Sequence, residues 1–193
     1  MNATMQLTAA GREFFGLSAR DHGSLVLMEG AGVWHLPEPS IDPREFLEAL
    51  AGFSTYMARA VLNEWFRGVA TAKPGTVYVA LNGSDPTDAG NNTELAIGQF
   101  GYARAAVSSI VGNWTAPSTA GSAEQISNSN NVAYNAPSGG DWNGGLPITW
   151  ASLWDLASAG NMLASGALGT PRTILANDNA PIFGPTALVV SLA

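Results

Sequence analysis

The sequence predicts a mainly β protein, an antiparallel β-sandwich or jelly-roll preceded by one long amphipathic α-helix and an extended N-terminal arm. Three observations carry this prediction. Apolar residues recur at helical spacings of three and four as far as Gly68. Beyond Gly68 the period shortens to strand-like runs punctuated by glycine, proline and asparagine. The first forty or so residues follow neither pattern and hold both histidines, His22 and His35, with a proline cluster. The organisation expected is an arm over 1–42, a helix over 43–68 and a β domain over 69–193. At 193 residues the chain is one domain with an appendage, long enough to bury roughly 70% of its unfolded surface.

In the arm, Ser24 to Met28 and Gly32 to Leu36 are short apolar runs on either side of Glu29-Gly30-Ala31, the pattern of a small hairpin. Pro37, Pro39 and Pro43 then set an extended connector, because each fixes its own φ and restrains the residue before it. Asp42-Pro43-Arg44-Glu45 reads as a capping box, with an acid at N-cap, proline at N1 and glutamate at N3. Phe46, Leu50, Phe53, Met57 and Val61 form the stripe of the helix that this box would start, and Leu62, Trp65 and Phe66 widen it toward its end. Gly68 falls where a left-handed C-cap belongs, and Arg67 meets the negative end of the dipole. Gly52, inside the expected helix, costs up to ~1 kcal/mol against alanine and allows a bend or a close approach.

The strands expected after the helix are Thr76 to Leu81, Tyr102 to Val111, Asn131 to Ala136, Ile148 to Asp155, Asn161 to Ser165, Arg172 to Ala176 and Ala187 to Leu192. Along Ile148 to Asp155 both alternating faces carry apolar groups, so this strand belongs at the centre of a sheet. The polar stretch Thr115 to Asn131 reads as a long loop with room for a short strand.

Composition narrows the function. Fifteen acidic against eight basic residues leave a formal charge of −7, and Lys73 is the only lysine, so no basic stripe is available to neutralise a phosphate backbone. The absence of cysteine removes disulfide scaffolds and Cys-type zinc modules. Only 12% of residues are charged while 46% are apolar, a balance that suits a subunit partly covered by neighbours. The start of the chain lacks a basic segment followed by an apolar stretch, and no run approaches the ~20 apolar residues of a membrane span. The expectation is a protein made and kept in the cytosol until something assembles it, without direct nucleic-acid contact or membrane insertion.

Catalytic constellations are weak. Gly16-Leu17-Ser18-Ala19-Arg20 fails the nucleophile-elbow pattern at its last position, and both histidines lie in the arm. Asp85 to Glu94 is rich in oxygen ligands, yet it lacks the alternating order of a calcium loop and reads more plainly as a turn held by Asx-type bonds. Asp85, Asp88, Glu94, Asp141 and Asp155 include no pair that the sequence places across a sugar. No catalytic residue, cofactor or metal site is therefore expected. The interaction candidates are Trp34 and His35 in the arm, and Trp142 within the glycine-rich Gly139 to Gly145, where an indole suits a sugar ring. Trp150 and Trp154, at strand spacing, are expected in the core.

Taken in order, LNEWFRG (Leu62 to Gly68), PGTVYVALNGSDPTDAG (Pro74 to Gly90), TEL (Thr93 to Leu95) and GYARAAV (Gly101 to Val107) resemble a family of tailed-phage virion proteins usually labelled phage tail fibre protein. The resemblance continues through Asn131 to Ala136, ITWASLWDLASAGNMLASGAL (Ile148 to Leu168) and PIFGPTALVVSL (Pro181 to Leu192), about two thirds of the chain. The first ~42 residues have no counterpart in that pattern, and its aromatic-glycine segment is expanded here to DWNGG. The resemblance implies a non-enzymatic virion structural protein, a tail fibre or adaptor component docked by its arm. Its expected partners are other virion proteins and further copies of itself, with a trimer as one form. A capsid decoration protein and a carbohydrate-binding module built on Trp142 are the alternatives.

Overall fold

The computed structural model describes residues 28–29, 32–33, 48–91 and 93–192. The chain divides into two compact units, Met1–Ile41 and Asp42–Ala193. In the first, β1 (Met28–Glu29) pairs antiparallel with β2 (Gly32–Val33), Met28 opposite Val33 and Glu29 opposite Gly32, which is the hairpin expected around Gly30. The proline connector, the capping box at Asp42 to Glu45, Trp34 and His35 lie outside the described residues.

In the second unit an eight-stranded sheet has the order β5-β4-β9-β10-β3-β12-β7-β6. Its strands are β3 (Glu48–Ala51), β4 (Thr76–Asn82), β5 (Ala105–Ser108), β6 (Ser118–Ala120), β7 (Ala123–Ser127), β9 (Ile148–Trp154), β10 (Met162–Arg172) and β12 (Leu188–Leu192). A two-stranded ribbon joins β8 (Val132–Ala133) to β11 (Ile182–Phe183). All pairings are antiparallel except that of β12 with β3. The ribbon packs on the sheet, with Tyr134 Oη donating to the Val79 carbonyl at 3.2 Å. One core, including Val79, Leu81, Ile148, Phe183 and Leu188, joins sheet and ribbon. The mainly β, antiparallel class read from the sequence is the class observed.

Three expectations on elements change. The helix α1 runs only over Thr55–Arg67, and Glu48–Ala51, expected to be its first turns, is a strand between β10 and β12. The reason lies at the junction. Gly52 has φ +108°, a conformation no helix accommodates, and Ser54 takes the N-cap role, its Oγ accepting from Met57 N at 3.1 Å. The parallel pairing with β12 outweighs the local helical pattern. The expected C-cap is present, with Gly68 at φ +66°.

Thr115 to Asn131, expected as a loop, contains the β6–β7 hairpin, and β7 adds to β12 over Glu124 to Ser127. Finally, Asn161 to Ser165 and Arg172 to Ala176, expected as separate strands, are replaced by the continuous β10, which ends at Arg172. A register shift between Ala167 and Arg172 spans Gly169 and Pro171.

β9 is central, as its two apolar faces predicted, lying between β4 and β10. Ala151 and Leu153 enter the main core, and Trp154 packs on the opposite face with Ala80 and Met162. Trp154 is buried as expected, while Trp150 is only half-buried.

Candidate functional site

Four of the carboxylates weighed for catalysis or calcium, Asp85, Glu94, Asp141 and Asp155, bond to the protein's own groups, and Asp88 is exposed. Asp85 Oδ1 accepts from Thr87 N at 2.7 Å, the Asx turn expected from Asp85-Pro86. Asp141 Oδ1 accepts from Ala176 N at 2.8 Å, and the Asp155 carboxylate accepts from Asn161 N at 2.7 Å and Asn161 Nδ2 at 2.8 Å. Among the described residues no three His, Asp or Glu side chains gather into a metal-holding group.

Glu94 has a different role. Arg104 grips it with both arms of the guanidinium, Nε to Oε1 at 2.8 Å and Nη2 to Oε2 at 2.6 Å, while Nη1 donates to the carbonyls of Leu156 and Ala159 at 2.7 and 2.9 Å. The guanidinium carbon also lies 4.1 Å from the Trp154 ring centre. A buried charge is tolerable only when its donors and partner are matched in this way. Tyr102 Oη donates to Glu94 Oε1 at 3.2 Å and accepts from Leu81 N at 2.9 Å. Burial first, then the Glu94 charge, pushes the Tyr102 phenol pKa well above its ordinary value.

Trp142, read from sequence as a surface ring for a sugar, is buried at 1% exposure. Its indole Nε1 donates to the Phe100 carbonyl at 2.9 Å and its ring meets Tyr102 edge-on at 5.1 Å. The glycines around it allow this inward turn: a Cβ on Gly140 would stand 2.4 Å from the Phe100 ring. The candidate surface ring is a core side chain in this fold.

The exposed apolar surface lies elsewhere. None of the residues of α1 is buried, and at its C-terminal half Leu62, Trp65 and Phe66 stand 57%, 79% and 80% exposed, with Val69 following at 49%. The first turn of the helix is fastened to the sheet and to the turn around Asp88: Ser54 N donates to Leu163 O at 3.0 Å, Ser54 Oγ donates to the Met162 carbonyl, and Thr55 N donates to Asp88 O at 2.9 Å. Beside that turn an open apolar groove of about 720 Å³ runs between Phe53, Met57, Leu163, Trp114, Ile126 and Val190. Its rim carries Ile110, Val111 and Leu192, of which Val111 is 94% exposed. Contiguous apolar exposure of this kind marks surfaces that partners cover. Sequence periodicity assigned Leu62, Trp65 and Phe66 to the buried stripe, because spacing alone does not tell which face of a helix meets its own sheet.

A model of the family described as podophage GP4 fiber I protein gp80 matches residues 52–191. No curated protein is similar enough to count as a relative. The matched span begins at the turn that launches α1 and runs through the groove, the buried ion pair and the last strand. With α1, the ribbon and every strand of the sheet but β3 reached by that span, this chain belongs to the podophage GP4 fiber I protein gp80 family.

Proposed function

We propose that the protein is a non-enzymatic structural subunit of the phage virion, a tail fibre or adaptor component that docks through residues 1–42 and works as a homo-oligomer, with a trimer as one form. The observation that carries this reading is the family match over 52–191. The side chains support it. Of the carboxylates that a hydrolase would use, Glu94 is engaged in an ion pair and Asp85, Asp141 and Asp155 accept bonds from the backbone. Several large apolar side chains, Trp65, Phe66 and Val111 among them, are exposed and suited to contact with other proteins.

Gold-labelled antibody against the β domain, viewed on intact particles by electron microscopy, tests the location. Label at the tail is the expected result, and label spread over the head would replace the fibre reading with capsid decoration. Particles assembled with a chain lacking residues 1–42 should carry no label; normal incorporation would remove the docking role of the arm.

A further inference from the structure

We propose that the aromatic end of α1 docks into the apolar groove of a second copy of this chain, so that subunits join helix-in-groove. The inference rests on the virion-subunit reading and names the surface by which those subunits meet. Both halves of the contact stand on one molecule. Leu62, Trp65 and Phe66 project from the helix, three and four residues apart on one face, as the anchors of a helix laid in a groove do. The groove offers an aliphatic and aromatic floor, with Trp114 among its residues.

Charge identifies the occupant. Among the described residues the bases are Arg59, Arg67, Lys73, Arg104 and Arg172, and the first three lie on α1 or within six residues of its end. Arg104 is committed to Glu94 in the interior. α1 also carries one acid, Glu64, which pairs with Lys73 at 3.0 Å, so the base left at the exposed aromatic end of the helix is Arg67, in a chain whose net charge is −7. The one charged residue among those lining the groove is an acid, Glu124. A second copy of this chain supplies the complement in both directions: an apolar groove for Trp65 and Phe66, and an acid on its edge for the basic end of the helix. Such a contact joins two different patches, so it closes as a ring of subunits or as a reciprocal pair.

Two aromatic side chains bury on the order of 150–250 Å² each, and Trp and Arg are the side chains that most often dominate an interface. Replacing both with serine should therefore dissociate the assembly. Both project into solvent, and their loss leaves the fold in place.

The test is the mass of the full-length protein by sedimentation equilibrium, across a concentration range, for the parent and three sets of variants. The parent should sediment as a multiple of 19.9 kDa. Trp65→Ser with Phe66→Ser should be monomeric or weakened at least tenfold in association, with an unchanged far-ultraviolet circular dichroism spectrum. Val111→Lys with Ile110→Lys, on the groove rim, should weaken it likewise. Arg67→Glu and Glu124→Arg should each weaken association, and the two together should restore it, because the swap returns opposite charges to one contact. A parent that is monomeric throughout, an assembly insensitive to the helix variants, or a double swap no better than either single change overturns the proposal. So does recovery of the parent, but not the serine variant, with anionic lipid vesicles in a flotation assay while the protein alone stays monomeric. Particle labelling reports location and sedimentation reports the surface, so the virion reading and this contact fail separately.

Discussion

The centre of the sheet and the helix beside it solve opposite problems with the same residue types. On the second face of β4 and β9, polar groups interlock: Trp154 Nε1 donates to Ser152 Oγ at 2.9 Å, Ser152 Oγ to Asn82 Oδ1 at 2.8 Å, and Asn82 Nδ2 to Thr93 Oγ1 at 3.1 Å. Each buried group there has a partner within the chain. On α1 the aromatic residues Trp65 and Phe66 have almost no cover, and the groove beside the helix is open. The protein's interior is completed by the chain alone, and its helix-and-groove surface is left for something else to complete.

The strongest way to break the interior is Arg104→Ala. It leaves the Glu94 carboxylate, whose side chain is only 10% exposed, without its cation. Unfolding by denaturant should show a loss of roughly 3–5 kcal/mol. A loss below about 1 kcal/mol would mean that the pair is not what holds the second face together.

A pH titration sharpens the same region. The Tyr102 phenol has its pKa raised by burial, so the folded state keeps it neutral while the unfolded chain ionises near pH 10. The stability tied to it is fully present below about pH 10 and falls as pH rises above that, by about 1.4 kcal/mol per pH unit at most. Tyr102→Phe should flatten this alkaline slope relative to the parent, read from denaturant midpoints between pH 8 and 11. An unchanged slope would assign it to other groups.

Ser54→Ala acts at the boundary between the two regions, removing the N-cap of α1 and its bond to the Met162 carbonyl. A loss of about 1–2 kcal/mol is expected, with the sheet intact and helical signal reduced. On the outer surface, Trp65→Ser should change the stability of the monomer by no more than about 0.5 kcal/mol, measured at concentrations where parent and variant are both monomeric. A larger loss would show that the indole is packed within its own subunit.

Much of the fold was legible because period is a local property. The β4 and β9 strands, the left-handed cap at Gly68 and the small hairpin at Met28 to Val33 follow from alternation and turn residues within a dozen positions. The start of the helix was not legible in this way. Residues 48–51 fit a helical stripe, yet they pair with β12, about 140 positions later, and a contact at that separation leaves no local mark. The β6–β7 hairpin was hidden for the same reason. Its polar residues look like a loop until Glu124 to Ser127 meet the last strand.

The site divides along the same line. Asp85 was legible as a turn residue, because its bond to Thr87 N spans two positions. The burial of Trp142 was not legible, because the residues that meet it, Phe100 and Tyr102, lie some forty positions away. By itself the sequence determined the mainly β class, the family, the acidic charge and the absence of cysteine chemistry, since these depend on composition and short-range order. Only the tertiary structure decided which aromatics face inward and which outward, because burial depends on what the rest of the chain brings against each face. It buried Trp142, left Trp65 and Phe66 uncovered, and opened a groove beside the first turn of α1.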